Sequence, residues 1–256
     1  MDIFRLFLAT IIQRKVWVIW LVMIAAGAIA FPLMTPYEQD VTLLEPERAR
    51  TVWMLFWIGS LTWVLFQGAN LGASLRLQGL GDYFASQGIA PIRQLLQSWL
   101  AVMVFSLLLG LFTTSISILW ASPSDPTEAQ LWLYLNLQFF ALSQLTIGAL
   151  LMISIALATR LGPAPSFLIA LGTGLYGLYG VGYLRLYVLN KSNDFLDTLF
   201  TISPHLHLSD LSHRLMHKLG ALGGAEFATI ACYLGGILLV SFSISSVAFS
   251  PRLRNA

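Results

Sequence analysis

The chain has 256 residues, of which 57% are apolar and 10% charged, and its formal net charge is +2. Soluble domains carry about 25% charged residues, so this composition excludes an ordinary soluble fold and points to an integral membrane protein. The near-balanced charge gives no electrostatic basis for a nucleic-acid partner.

Residues 2–14 open the chain with an amphipathic pattern. Asp2, Arg5, Ala9 and Gln13 fall on one narrow face of a helix, while Ile3, Phe4, Phe7, Leu8, Ile11 and Ile12 occupy the rest. Such a segment suits a helix lying in the membrane interface. One long tilted helix over residues 2–34 is the alternative. Arg14, Lys15, the following apolar run and the small triplet at 28–30 also resemble a cleavable signal. The five further apolar runs favour a retained span.

Six runs free of Asp, Glu, Lys and Arg cover about 16–34, 51–73, 94–120, 129–159, 166–184 and 227–250. At about 1.5 Å per helical residue each can cross a hydrocarbon core or most of it. The predicted fold is therefore all-α: one transmembrane domain over 1–256, with six transmembrane helices and an N-terminal interfacial helix. The connectors are sorted by sign. With the N-terminus cytoplasmic, the inner segments hold eight basic and two acidic residues, and the outer segments six basic and ten acidic. The excess of Lys and Arg places both termini in the cytoplasm.

The empty runs limit the chemistry. Ionisable groups inside a membrane mark ion paths and proton relays, and their absence argues against self-powered, ion-coupled transport. Neutral polar residues remain: Gln67 and Asn70 in the second run, Asn136, Gln138 and Gln144 in the fourth. Interhelical hydrogen bonding is the favoured reading of these. A polar translocation path through Gln67, Asn70, Asn136, Tyr176 and Tyr179 is the functional alternative. The fifth run carries Gly172, Gly174, Gly177, Gly180 and Gly182, which suit close helix packing, with a weaker echo at Gly68 and Gly72. The single Cys232 reads as a small packing residue. No zinc-protease helix, nucleophile elbow or phosphate-binding loop occurs, so no catalytic residue is assigned and the chain is not expected to be an enzyme.

All four histidines fall in the 185–226 outer loop, at His205, His207, His213 and His217. Imidazoles at these spacings are weak candidates for a Zn²⁺ or Cu²⁺ site. The favoured reading is an interfacial structural segment whose apolar face comprises Leu206, Leu208, Leu211, Leu215 and Leu219.

The connector at 74–94 is longer than a turn requires. Gly79 and Gly81 allow a tight bend, Asp82 can open a short helix through Tyr83 and Phe84, and Pro91 disfavours helix at Ala90. The segment is expected to lie across the cytoplasmic surface with both aromatics exposed. Gln78, Gly79, Asp82 and the exit Ala90, Pro91, Ile92, Arg93 resemble the corresponding loop of ABC-2 type transporter permeases. The layout of an interfacial helix, six spans, a long last outer loop and a basic tail is also similar. This sequence departs from the family pattern at Gln78 and Leu80, where an acidic residue and a threonine are typical.

The resemblance implies a coupling helix that docks on a separate ATP-binding cassette ATPase, through Gln78, Gly79, Asp82, Tyr83, Phe84, Pro91 and Arg93. It implies ATP and Mg²⁺ on that partner and no cofactor in this chain. It further implies a second permease subunit, identical or related, an outer-side partner protein as a further candidate, and a bacterial inner membrane location among lipids. A noncatalytic assembly or anchoring subunit is the alternative, and a metal-handling protein using the histidines a third.

Overall fold

The computed structural model describes residues 3–30, 41–190 and 194–251. Regular structure among these is entirely helical. The first helices are α1 (Ile3–Arg14) and α2 (Val16–Ala30), bent by 57° at Lys15, which has a φ of 55°. A left-handed lysine costs about 1–2 kcal/mol and cannot continue a helix, so α1 and α2 are separate elements rather than one tilted rod. On α1, Ile3, Phe7 and Ile11 are buried and Arg5, Ala9 and Gln13 are exposed, as the pattern predicts. Residues 31–34 of the first apolar run lie outside the described residues.

The second span is one long rod: α3 (Val41–Gly59), a π-helical turn at Ser60–Val64, and α4 (Leu65–Leu77). It begins earlier than the apolar run, so Arg48 and Arg50, expected in a connector, lie on helix. After α5 (Leu80–Ser86) come α6 (Pro91–Trp120) and α7 (Pro126–Leu161). Asp125 caps α7, accepting from the backbone N–H groups of Thr127 at 2.7 Å and Glu128 at 3.1 Å. Those hydrogen bonds hold its carboxyl below the ordinary carboxylate range. Gly162 and Pro163 break the chain sharply into α8 (Pro163–Leu175), which runs through a π turn at Tyr176–Gly180 into α9 (Val181–Asn190).

The remaining elements are α10 (Asp194–Ile202), a 3₁₀ turn at Leu206–Ser209, α11 (Ser212–Met216) and α12 (Gly224–Ala248). Among the described residues, five rods are long and apolar enough to cross a membrane, or six if the bent α1–α2 pair counts as one span. This is a multi-pass, all-α membrane protein. The Glu45–Leu77 rod and α7 are its centre, each with 72% of its most apolar window buried, whereas α12 has 11% buried and faces outward.

α4 and α7 pack closely. A Cβ on Gly68 would meet Leu151 at 2.3 Å, and one on Gly72 would meet the Ile155 carbonyl oxygen at the same distance. The glycines of α8 and α9 divide. Gly174 abuts Leu150 and Leu61, and Gly177 abuts Leu206, but Gly172 and Gly182 face open space. The expected close packing of the fifth run is therefore met at Gly174 and Gly177 and not at Gly172 or Gly182, while Gly72 in the shorter pair is the one that meets a helix backbone.

Arginines at the rod ends bind helix carbonyls. Arg76 donates to Thr159 O at 2.7 Å, and Arg160 donates to Ala248 O and, at 3.3 Å, to Val247 O. Arg48 donates to Trp120 O at 3.0 Å and lies over the Trp120 ring. Each places a cation at a helix C-terminus, where carbonyls lack intrahelical partners and the dipole is negative. These arginines on the rods therefore bind one rod to the next.

Candidate functional site

The 74–94 connector is built by backbone conformation. Gly79, at φ 68°, reverses the chain after α4 and stands at the start of α5, so the short helix opens before Asp82 rather than at it. At the far end, Gly88 N–H donates to Ala85 O at 3.0 Å and Ile89 N–H to Phe84 O at 3.1 Å, with Gly88 at φ 78°. This is a Schellman cap, in which only glycine takes the left-handed position without strain. Ala90 is extended and Pro91 occupies the first turn of α6, where its missing N–H is no loss.

Three contacts fix α5 to the bundle. Phe84 is 2% exposed and joins the main apolar core. Gln94, fully buried, donates its Nε2 to Ile89 O at 3.0 Å and Gly81 O at 3.3 Å. The backbone of Pro251 lies against Gly81, leaving no room for a side chain there. The expectation of two exposed aromatics is corrected: Phe84 points inward because a seven-residue helix needs an apolar anchor, and Tyr83, at 56% exposure, is the aromatic presented outward. Leu77, Gln78, Gln87, Pro91, Ile92 and Arg93 are exposed around it, and Asp82 is half-buried. Gln94 and Gly81 escaped sequence reasoning as holding residues, since their roles depend on neighbours remote in the chain.

The polar residues of the rods mostly hold helices together. Trp53 Nε1 donates to Asn136 Oδ1 at 2.9 Å, while Asn136 Nδ2 donates to Trp132 O at 2.9 Å. Phe139 stacks on Trp53 with centroids 3.8 Å apart. Gln144 accepts from Ser106 Oγ at 2.8 Å, and Gln138 exchanges two hydrogen bonds with the Leu222 backbone. Asn136 therefore braces Trp53 and the Trp132 turn within the core. Gln67 is buried, Asn70 faces a groove beside α1, and Tyr176 shares a 2.6 Å hydrogen bond with Ser203 while Tyr179 is exposed. The structure does not gather these five residues into one path.

The outer segment is a folded cap. Leu206, Leu211 and Leu215 are buried, whereas Leu219 is exposed. The histidines form two pairs, with ring centroids 5.5 Å apart for His205 and His207 and 4.4 Å for His213 and His217. Among the described residues, no three His, Cys, Asp or Glu side chains converge on a metal position. Burial, together with the neighbouring His205 and Arg185 charges, pushes the His207 imidazole below its ordinary value, opposed by the Gly177 backbone. A cavity of about 560 Å³ opens beneath this cap, lined by Ser203, Pro204, Tyr233 and Ile237. Cys232, expected as a packing residue, is exposed on α12 and lines the same cavity.

No protein-family model, curated protein or solved structure matches this chain.

Proposed function

We propose that this protein is the membrane-spanning permease subunit of an ATP-driven ABC-2 type transporter in a bacterial inner membrane. The observation that supports the reading best is the construction of α5. A short surface helix is clamped from below by Phe84, Gln94 and Pro251 while Tyr83, Gln87 and Arg93 face outward. A helix held this firmly transmits a push from a docked partner into α4 and α6 without absorbing it. The α5 end also carries α1 and the chain up to Pro251, and in this reading it faces the cytoplasm.

ATP and Mg²⁺ belong to the partner ATPase. Closure of two ATPases would drive two permease subunits, identical or related, between two packed states. The outward apolar face of α12, with Leu239, Val240, Ile244 and Val247 exposed, suits lipid or the second subunit. Purification of the full chain from its native membrane tests the reading. A stoichiometric P-loop ATPase, lost on Tyr83→Ala with Arg93→Ala, is the expected result. A large complex without an ATPase would replace the proposal with an anchoring role.

A further inference from the structure

The cavity of about 560 Å³ beneath the outer cap lies within the size range of ligand pockets. Its floor is α7, through Leu150 and Ile153, and its sides are Thr173 of α8 and Gly236, Ile237 and Val240 of α12. α8 and α12 both pack on α7 but scarcely on each other. Val240, at 58% exposure, borders the gap between them, so the cavity opens toward the bilayer. None of the lining residues is charged.

The hydroxyls of the wall divide into spent and unspent. Thr173, Thr201 and Ser203 donate to carbonyls of their own helices, at Ile169 O, Asp197 O and Leu199 O. Tyr233 accepts from the His205 N–H at 3.0 Å, and its own proton meets no acceptor among the described residues. Ser241 is 4% exposed and forms no hydrogen bond among the described residues. Thr229, Ser243 and Ser246 of the same helix, by contrast, all donate to the preceding turn.

The two unspent hydroxyls mark the two ends of the cavity. Tyr233 stands under the cap, and Ser241 lies deeper on α12, about 12 Å further along the helix. Water is a poor occupant of the deep end. A buried water needs about three polar partners, and beside Ser241 the wall is Ile153, Ile237 and Val240. An uncharged molecule with an oxygen at each end of an apolar body would satisfy both hydroxyls and fill the space between them.

We propose that this cavity binds a neutral, lipid-soluble molecule with a carbonyl at each end of an apolar chain. Its inner carbonyl accepts from Ser241 and its outer carbonyl from Tyr233. The inference is independent of the transporter reading.

Cys232 lines the same cavity and is the one cysteine of the chain, so thiol labelling reports occupancy. The full-length chain in lipid nanodiscs is treated with N-ethylmaleimide. Dimethyl dodecanedioate, a linear diester, or hexadecane is present at equal mole fraction in the bilayer. The diester should slow labelling of Cys232 at a concentration about tenfold or more below that of hexadecane, because only the diester accepts hydrogen bonds. Ser241→Ala should raise the diester concentration for half-protection about fivefold, the worth of one hydrogen bond. Ser243→Ala, on the exposed face of the same helix, should leave it unchanged. Gly236→Leu sends a side chain into open space in the cavity, and native mass spectrometry of that variant should find no retained diester. Absent protection, equal protection by diester and hexadecane, equal effects of the two serine variants, or diester retained by Gly236→Leu would overturn the proposal.

Discussion

Gly72 and Ile155 meet backbone to backbone: a methyl group on Gly72 would lie 2.3 Å from the Ile155 carbonyl oxygen. Between two rods that are the most buried of the bundle, nothing flexible can yield. Gly72→Ala should therefore lower stability by about 1–3 kcal/mol, the usual cost of overpacking. Gly172→Ala, which meets open space, should be neutral or slightly stabilising because it removes backbone freedom from the unfolded helix. Unfolding of each variant in mixed micelles checks the pair, and equal effects would contradict the packing assignment.

Asn136 is the interior acceptor for Trp53. Asn136→Leu leaves a buried indole N–H without a partner, and the expected loss is about 1–3 kcal/mol. Adding Trp53→Phe should recover part of it, because the orphaned donor is then gone. A double-mutant cycle with no coupling would show that the two side chains do not interact.

For α5, stability and partner binding should separate. Phe84→Ala opens a cavity under the helix and should cost about 3 kcal/mol. Tyr83→Ala touches an exposed ring, and its stability change should stay within about 0.5 kcal/mol. If α5 docks a partner, Tyr83→Ala should nevertheless weaken copurification of that partner. Loss of the partner only in destabilised variants would argue against a docking role for Tyr83.

His207 predicts a pH dependence of the outer cap. Its folded-state value is depressed, first by burial, so the unfolded chain takes up a proton at a higher pH than the folded one. The favourable contribution is fully present above the ordinary histidine value of about 6.5 and is lost as pH falls through that value toward the depressed one. Thermal unfolding scans across this window should show a steeper acid loss for the native chain than for His207→Gln. Parallel curves would remove His207 from the explanation.

Much of the architecture is legible in the sequence because a bilayer imposes one requirement on every span: no charge and enough length. That requirement located the rods to within a few residues at α6, α7 and α12. It also separated α1 from α2, since the amphipathic stripe ends where the uniform apolar run begins. The glycines at 79 and 88 and the proline at 91 set the α5 turn by backbone conformation alone, which is local information.

Side-chain direction was not local. Tyr83 and Phe84 are adjacent aromatics on a short helix, and only the position of the bundle beneath decides that Phe84 is the anchor. The same holds for the glycines: composition favoured the longer string, but contact depends on which rods lie together. The polar residues of the rods show the same limit, because Asn136 can be read as a path or as a brace until Trp53 is seen opposite it. Sequence by itself determined where most of the long uncharged rods lie, because helix length and charge exclusion act on each segment alone. Tertiary structure decided which residues face inward, which arginines bind which helix ends, and where a cavity opens beneath the outer cap, because those depend on rods far apart in the chain meeting in space.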